Sequence, residues 1–328
     1  MKKILSFLIA GVLFTVACNK GGDITANDQQ DIQPTINQRN CGSMEVLQQQ
    51  LAADPTLQKR MDDIENFTQK VLANPAAFKL VNGVMQIPVV VNVLYRTAQE
   101  NISDAQIASQ IAVLNEDYGG TNADMAGVPS IFTTVEAKDT KIRFVLAKTI
   151  RKKTTKKSWS TNDAVKKTKM GGLDPTSPTT NLNIWVCTLG NGLLGYAQFP
   201  GGNPATDGVV ILNSAFGSRA LCPNGYFINT YDLGRTATHE IGHWFNLRHI
   251  WGDTNCGDDL VNDTPVHTGA NYGCPAYPAN STCGGTTHAM MTMNYMDYTD
   301  DACMYMFSAG QAARMQATFA PGGPRATY

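Results

Sequence analysis

His239-Glu240-Ile241-Gly242-His243 sets two histidines four residues apart, and that spacing constrains the chain more than any other feature. On an α-helix, residues i and i+4 project from one face a single turn apart. Two neutral imidazoles so placed can hold one Zn²⁺, and Glu240 beside the first reaches a water on the metal. His249 follows His243 by six residues. A straight helix would turn it away, so the chain must bend between the two. The pattern HExxHxxxxxH therefore predicts a helix, a bend and a third ligand, with one coordination position left open. Catalytic zinc sites have such an open position and structural ones lack it. Of the five histidines in the chain, three fall in this window, which makes an incidental cluster a poor account.

Downstream stands Asn294-Tyr295-Met296-Asp297-Tyr298. A helix, a bend, a third His and then a Met in such a stretch resemble the metzincin metalloproteases. The wider sequence HEIGHWFNLRH resembles the pappalysin family, in its bacterial, ulilysin-like (cytophagalysin) branch. The resemblance covers roughly residues 87 to 320, together with an element around Cys41. It departs at Asn246, where the usual metzincin pattern has Gly. The bend calls for left-handed backbone, and Asn is the non-glycine residue that most readily adopts it. The resemblance implies an α/β metzincin-type catalytic domain with a mixed, mostly parallel sheet and a zinc helix. An irregular, disulfide-stapled C-terminal subdomain would follow. It also implies that Met296 forms an apolar floor beneath the zinc. Tyr298, two residues on, is a candidate to offer its phenol to the developing oxyanion.

Lys2, Lys3 and the apolar run Ile4 to Val16 read as an export signal, too short for a transmembrane helix. Thr15-Val16-Ala17-Cys18 looks like a lipobox, which would make Cys18 the lipidated first residue of a bacterial lipoprotein. An ordinary signal peptide that removes Cys18 is the alternative. Residues 19 to 40, polar and rich in Asn, Gln and Asp, suit a flexible tether. The expected protein is thus exported: a cell-surface or periplasmic lipoprotein, or secreted after processing. With 43% hydrophobic and 16% charged residues and a net charge of −1, the chain reads as a soluble globular monomer without a nucleic-acid partner. Any membrane contact would run through the lipid. Eight Cys in an exported chain favour disulfides.

Cys41-Gly42 opens a segment, 41 to 82, that precedes the expected catalytic domain at 83 to 328. A thiolate is a strong zinc ligand and can fill the open position, keeping an enzyme latent. Ulilysin-like proenzymes carry a similar Cys-Gly element, so Cys41 is a candidate latency switch; a disulfide is the alternative. A helical stretch from Met44 to about Leu72 follows, and Lys79-Leu80 is a candidate processing point.

Strands are expected at Ile87–Tyr95, Lys141–Ile150, Leu182–Val186, about Leu193–Pro200 and Gly208–Leu212. Ser103-Asp104-Ala105-Gln106 reads as a capping box for a helix to about Tyr118. The basic run Lys152 to Lys157 reads as a solvated loop. Gly195, Tyr196 and Ala197 are the candidate substrate rim, because an edge strand offers unpaired N–H and C=O groups to an extended peptide. The zinc helix should run from about Asp232 to Phe245 and the N-terminal subdomain to His249.

Past residue 250, Asp253, Asp258, Asp259 and Asp263 sit among Gly, Asn and Thr, a hard-oxygen cluster that suggests a structural Ca²⁺. The spacing is not that of an EF-hand, and plain loop polarity is the competing account. Cys256, Cys274, Cys283 and Cys303 allow three pairings; the family resemblance implies Cys256–Cys283 and Cys274–Cys303. Cys187 and Cys222 are either free or joined to each other. Asp301 is a candidate base for the pocket that takes the side chain after the scissile bond, favouring Arg or Lys, with a surface or calcium-loop acid as the alternative. Ser308-Ala309-Gly310-Gln311 is a capping box for a last helix to about Phe319. The reading is a zinc endopeptidase acting on peptide or protein substrates and made as a zymogen. The competing reading is a zinc-bearing surface lipoprotein impaired through Asn246.

Overall fold

The computed structural model describes residues 36–78 and 83–328. Cys18 and Lys79-Leu80 lie outside the described residues. Five strands form the main sheet: β1 (Met85–Tyr95), β2 (Ile142–Lys153), β3 (Leu182–Cys187), β4 (Gly195–Ala197) and β5 (Val209–Leu212), in the order β2-β1-β3-β5-β4. All neighbours are parallel except β4 on β5. The sheet is therefore mixed and mostly parallel, with β4 as an antiparallel edge.

Strands buried on both faces read as continuous apolar runs, and period-two alternation then divides the side chains between two cores. Val89, Val91, Val93, Ile184, Val186, Val209 and Ile211 face one core. It also holds Ile107 and Leu114 of α3 (Asp104–Gly119) and Ala237 and Ile241 of α4 (Arg235–Trp244). Leu94, Trp185, Val210 and Leu212 face the other, which takes in Val46 from α1 (Ser43–Ala53). The N-terminal segment is thus built into a core of the folded chain.

Several expected boundaries change for physical reasons. The single helix expected from Met44 to Leu72 is two, α1 and α2 (Leu57–Ala73), divided at Asp54-Pro55 because proline cannot continue a helix. β2 extends through Lys153, so the basic run begins on an edge strand, where exposed Lys discourages further pairing. Ser103 accepts from the Gln106 amide, but Gln106 turns its side chain to the Phe216 and Tyr226 carbonyls, so the box is half made. α4 starts at Arg235, three residues later than expected.

Residues 250–328 hold a two-stranded hairpin, β6 (Asn280–Cys283) and β7 (Thr286–Ala289), and one α-helix, α5 (Ala309–Ala317). α5 carries the complete Ser308/Gln311 capping box. Disulfides join Cys256 to Cys283 and Cys274 to Cys303. Cys187 is a buried free thiol, so it is not paired with Cys222. Among the described residues no helix is long and apolar enough to cross a membrane.

Candidate metal centre

α4 is fixed to α3 at its buried face. Thr238 Oγ1 donates to Asp117 at 2.7 Å, Arg235 pairs with the same carboxylate at 3.1 Å, and the Tyr118 phenol donates to the Thr238 carbonyl. This aims His239 and His243 at one point. The helix ends at Trp244, and Asn246 takes φ +72°, the left-handed conformation expected of the bend. The chain then returns His249 to the same place.

Each imidazole gives its Nδ1 to an acceptor. His239 donates to the Tyr295 carbonyl (2.7 Å), His243 to the Leu247 carbonyl (2.8 Å) and His249 to Asp253 Oδ1 (2.5 Å). The protons therefore sit on Nδ1, and the three Nε2 lone pairs converge. His243 Nε2 and His249 Nε2 stand 3.1 Å apart, and His239 Nε2 is buried without a hydrogen-bond partner. Lone pairs brought together in a dry site repel unless a cation lies between them. The ligand atoms of Cys41, His239, His243 and His249 all lie within 4.8 Å of one another. Three nitrogens and a sulfur suit Zn²⁺, and the residues present fit it. Burial pushes His239 well below the usual range, and His243 down to about 3, so both are neutral and ready to ligate.

Glu240 lies beside them, buried, with its carboxyl pushed up to about 7 by that burial. Its Oε2 accepts from Ser43 Oγ at 2.8 Å and from the Cys41 thiol at 3.3 Å. Ser43 Oγ in turn accepts from the Ala197 amide at 2.8 Å. The segment runs along β4, where Cys41 pairs in parallel with Gly195 and Gly42 N–H donates to the Gly195 carbonyl. Gly195 has no alternative residue, since a Cβ there would stand 2.8 Å from Glu240 Cγ.

Met296 is fully buried beneath α4, its sulfur 2.5 Å from where a Cβ on Gly242 would sit. The glycine inside HEIGH is thus what lets the methionine approach. The Tyr298 ring packs on His239, His249 and Trp251, and burial holds its phenol well above the usual range, hence protonated.

Asp301 is fully buried at the N-terminus of α4, where its Oδ2 accepts from the Leu233 and Arg235 amides. Its Oδ1 receives Arg39 Nη2 at 2.6 Å. Arg39 also donates to the Thr299 carbonyl and Thr236 Oγ1, and lies over the Tyr231 ring. Asp301 is thus not a surface acid. Arg39, expected to lie in a flexible tether, is 2% exposed and pinned by these contacts.

The four acids of the expected calcium cluster have separate duties. Asp253 orients His249, and Asp263 accepts from Ser308 Oγ and the Gly310 amide at the start of α5. Asp259 takes the Thr264 hydroxyl and the Val261 amide, and Asp258 the Leu260 amide. Spacing alone missed Ser43, Arg39 and the orienting role of Asp253. An Asp four residues after the third His was the available signal for the last.

The fold and the site together define a zinc metalloprotease of the metzincin kind. A peptidase M43 family model, described as pregnancy-associated plasma protein-A, matches residues 183–320. An extracellular metalloprotease of Pyricularia oryzae is 34% identical over 220 residues, spanning 67% of this chain and 68% of that protein. Another, from Verticillium alfalfae, is 32% identical over 245 residues, 71% of this chain and 78% of its own length. Mature mirolysin of Tannerella forsythia, solved with a cleaved peptide, is 45% identical with a TM-score of 0.71, covering 74% of this chain and 95% of that one. A Glu-to-Ala mutant of promirolysin from the same organism is 42% identical with a TM-score of 0.78, covering 88% and 96%. The chain belongs to the pappalysin family of metalloproteases.

Proposed function

We propose that the protein is an exported endopeptidase, made as a latent zymogen, whose mature form cuts peptide bonds before Arg or Lys. The observation that carries this is the path of residues 39–43. Arg39 fills a pocket floored by Asp301, Cys41 faces the three imidazoles, and Ser43 occupies the carboxylate of Glu240. One short segment thereby holds the side-chain pocket, the open metal position and the general base.

His239, His243 and His249 would hold the zinc, which when bound would supply Lewis acidity toward water and the scissile carbonyl. Glu240, beside the open metal position, takes the proton of the attacking water and returns it to the leaving amine. The protonated phenol of Tyr298 donates to the developing oxyanion. Gly195, Tyr196 and Ala197 give an extended substrate its main-chain partners. Asp301, with the Thr299 carbonyl and Thr236 Oγ1, receives a basic side chain. Since Asn246 adopts the bend, it gives no ground for an impaired site.

The calcium reading narrows to Asp258 and Asp259. Burial and the neighbouring acid push the Asp259 carboxyl up to about 7, which a cation would relieve. Export rests on residues 1–18, and lipid anchoring on Cys18.

Cleavage profiling of a peptide mixture by mass spectrometry, with and without a chelator, tests the proposal. The expected result is chelator-sensitive cuts clustered before Arg and Lys, with zinc retained and activity lost in Glu240→Ala. Chelator-sensitive cuts elsewhere would discard the Asp301 pocket, and comparable proteolysis by Glu240→Ala would sink the mechanism.

A further inference from the structure

The C-terminal end of a helix leaves its last carbonyls without intrahelical donors. Two arginines from far along the chain take the last carbonyl of α4 and a carbonyl of the bend just beyond it, both between zinc ligands in sequence. Arg325 Nε donates to the Trp244 carbonyl at 2.8 Å, and Arg314 Nε to the Asn246 carbonyl at 3.0 Å. They are 3% and 1% exposed. A guanidinium near a helix C-terminus is favoured by the helix dipole as well as by the hydrogen bond.

The two differ in counter-ion. Arg325 pairs with Asp207 at 2.8 Å and lies over the Trp244 ring at 3.4 Å, contacts internal to the catalytic domain. Arg314 is gripped by both carboxylate oxygens of Glu65 on α2. Glu65 belongs to the segment that maturation would remove. Arg314 also holds the more demanding carbonyl, because Asn246 is a non-glycine residue in left-handed backbone and must be kept there by its surroundings.

We propose that Arg314 is a positioning residue of the metal centre. By fixing the Asn246 carbonyl it sets the bend that carries the chain from His243 to His249. Glu65 is its counter-ion in the zymogen and is dispensable to that duty. The inference rests on the zinc-protease reading, and its test reads zinc rather than peptide cleavage. It does not depend on which bonds are cut.

Zn²⁺ partition against a chromogenic chelator is measured on the full chain for wild type, Arg314→Met, Arg314→Lys and Glu65→Gln, with circular dichroism as the check on folding. Loss of a group that orients ligands typically weakens metal binding by about 10- to 100-fold. Arg314→Met is expected to lose about tenfold and Glu65→Gln to stay close to wild type. In the processed enzyme kcat should fall in Arg314→Met with KM little changed. Wild-type zinc affinity in Arg314→Met would overturn the proposal, and so would an equal loss in Glu65→Gln, which would assign the effect to the ion pair. Should Arg314→Met not fold, Arg314→Lys carries the test. Its ammonium goes to Glu65 and leaves Asn246 uncapped, so zinc affinity equal to wild type would overturn the proposal there too. Failure of wild type to cleave any peptide would remove the protease reading and leave the zinc comparison standing.

Discussion

In the sheet region, β1, β3 and β5 bury both faces, and α3 and α4 close one core by ordinary side-chain packing. In residues 250–328, one short hairpin and one α-helix are tied by two disulfides and by charged side chains such as half-buried Asp263 and buried Arg314. The first region carries His239, Glu240 and His243 on a rigid helix. The second returns what surrounds them: Asp253 behind His249, Met296 beneath, Tyr298 beside, and Asp301 in the pocket. The difference teaches that ligand identity and ligand precision come from separate parts of the chain. Apolar packing makes the platform, while staples and polar contacts hold a loop-built wall against it.

That contrast can be broken at either end. Ile184→Ala removes a fully buried side chain from the sheet, and large-to-small core changes of this kind cost about 2–5 kcal/mol. Denaturant unfolding should register that loss, with cleavage preference unchanged in the folded fraction. A cost under about 1 kcal/mol would mean that the site collapses around the cavity.

Removing the Cys274–Cys303 staple, as the double serine variant, should cost about 2–4 kcal/mol. Because Cys303 stands two residues after Asp301, KM for basic peptides should also rise. Removing Cys256–Cys283 instead should cost similar stability and leave KM unaltered. Equal KM changes in both variants would show that the wall responds as one body.

The smallest expected effect is Asp253→Asn. Loss of the carboxylate behind His249 should weaken zinc binding about 10- to 100-fold, or about 1.4–2.7 kcal/mol, read by chelator competition. Unchanged affinity would show that Trp251, stacked on the His249 ring, is enough to orient it.

The sequence alone determined the elements governed by local periodicity. Two histidines at helical spacing, the β-branched run at Ile87–Tyr95 and the Ser308 capping box carry their conformation in a few neighbouring residues, and α4, β1 and α5 follow. The need for a bend before His249 was also legible, since a straight helix cannot serve a third ligand. Contacts between distant residues were not. Composition assigned Arg39 to a tether, yet it pairs with Asp301 across 262 positions. Four aspartates close in sequence looked like one cation site, and the fold sent two of them to His249 and α5. Local sequence fixes which backbone conformations are affordable over one or two turns. Which buried charge meets which partner is decided only when the sheet and the C-terminal segment close on each other, because a buried charge must be matched by whatever the fold brings within reach.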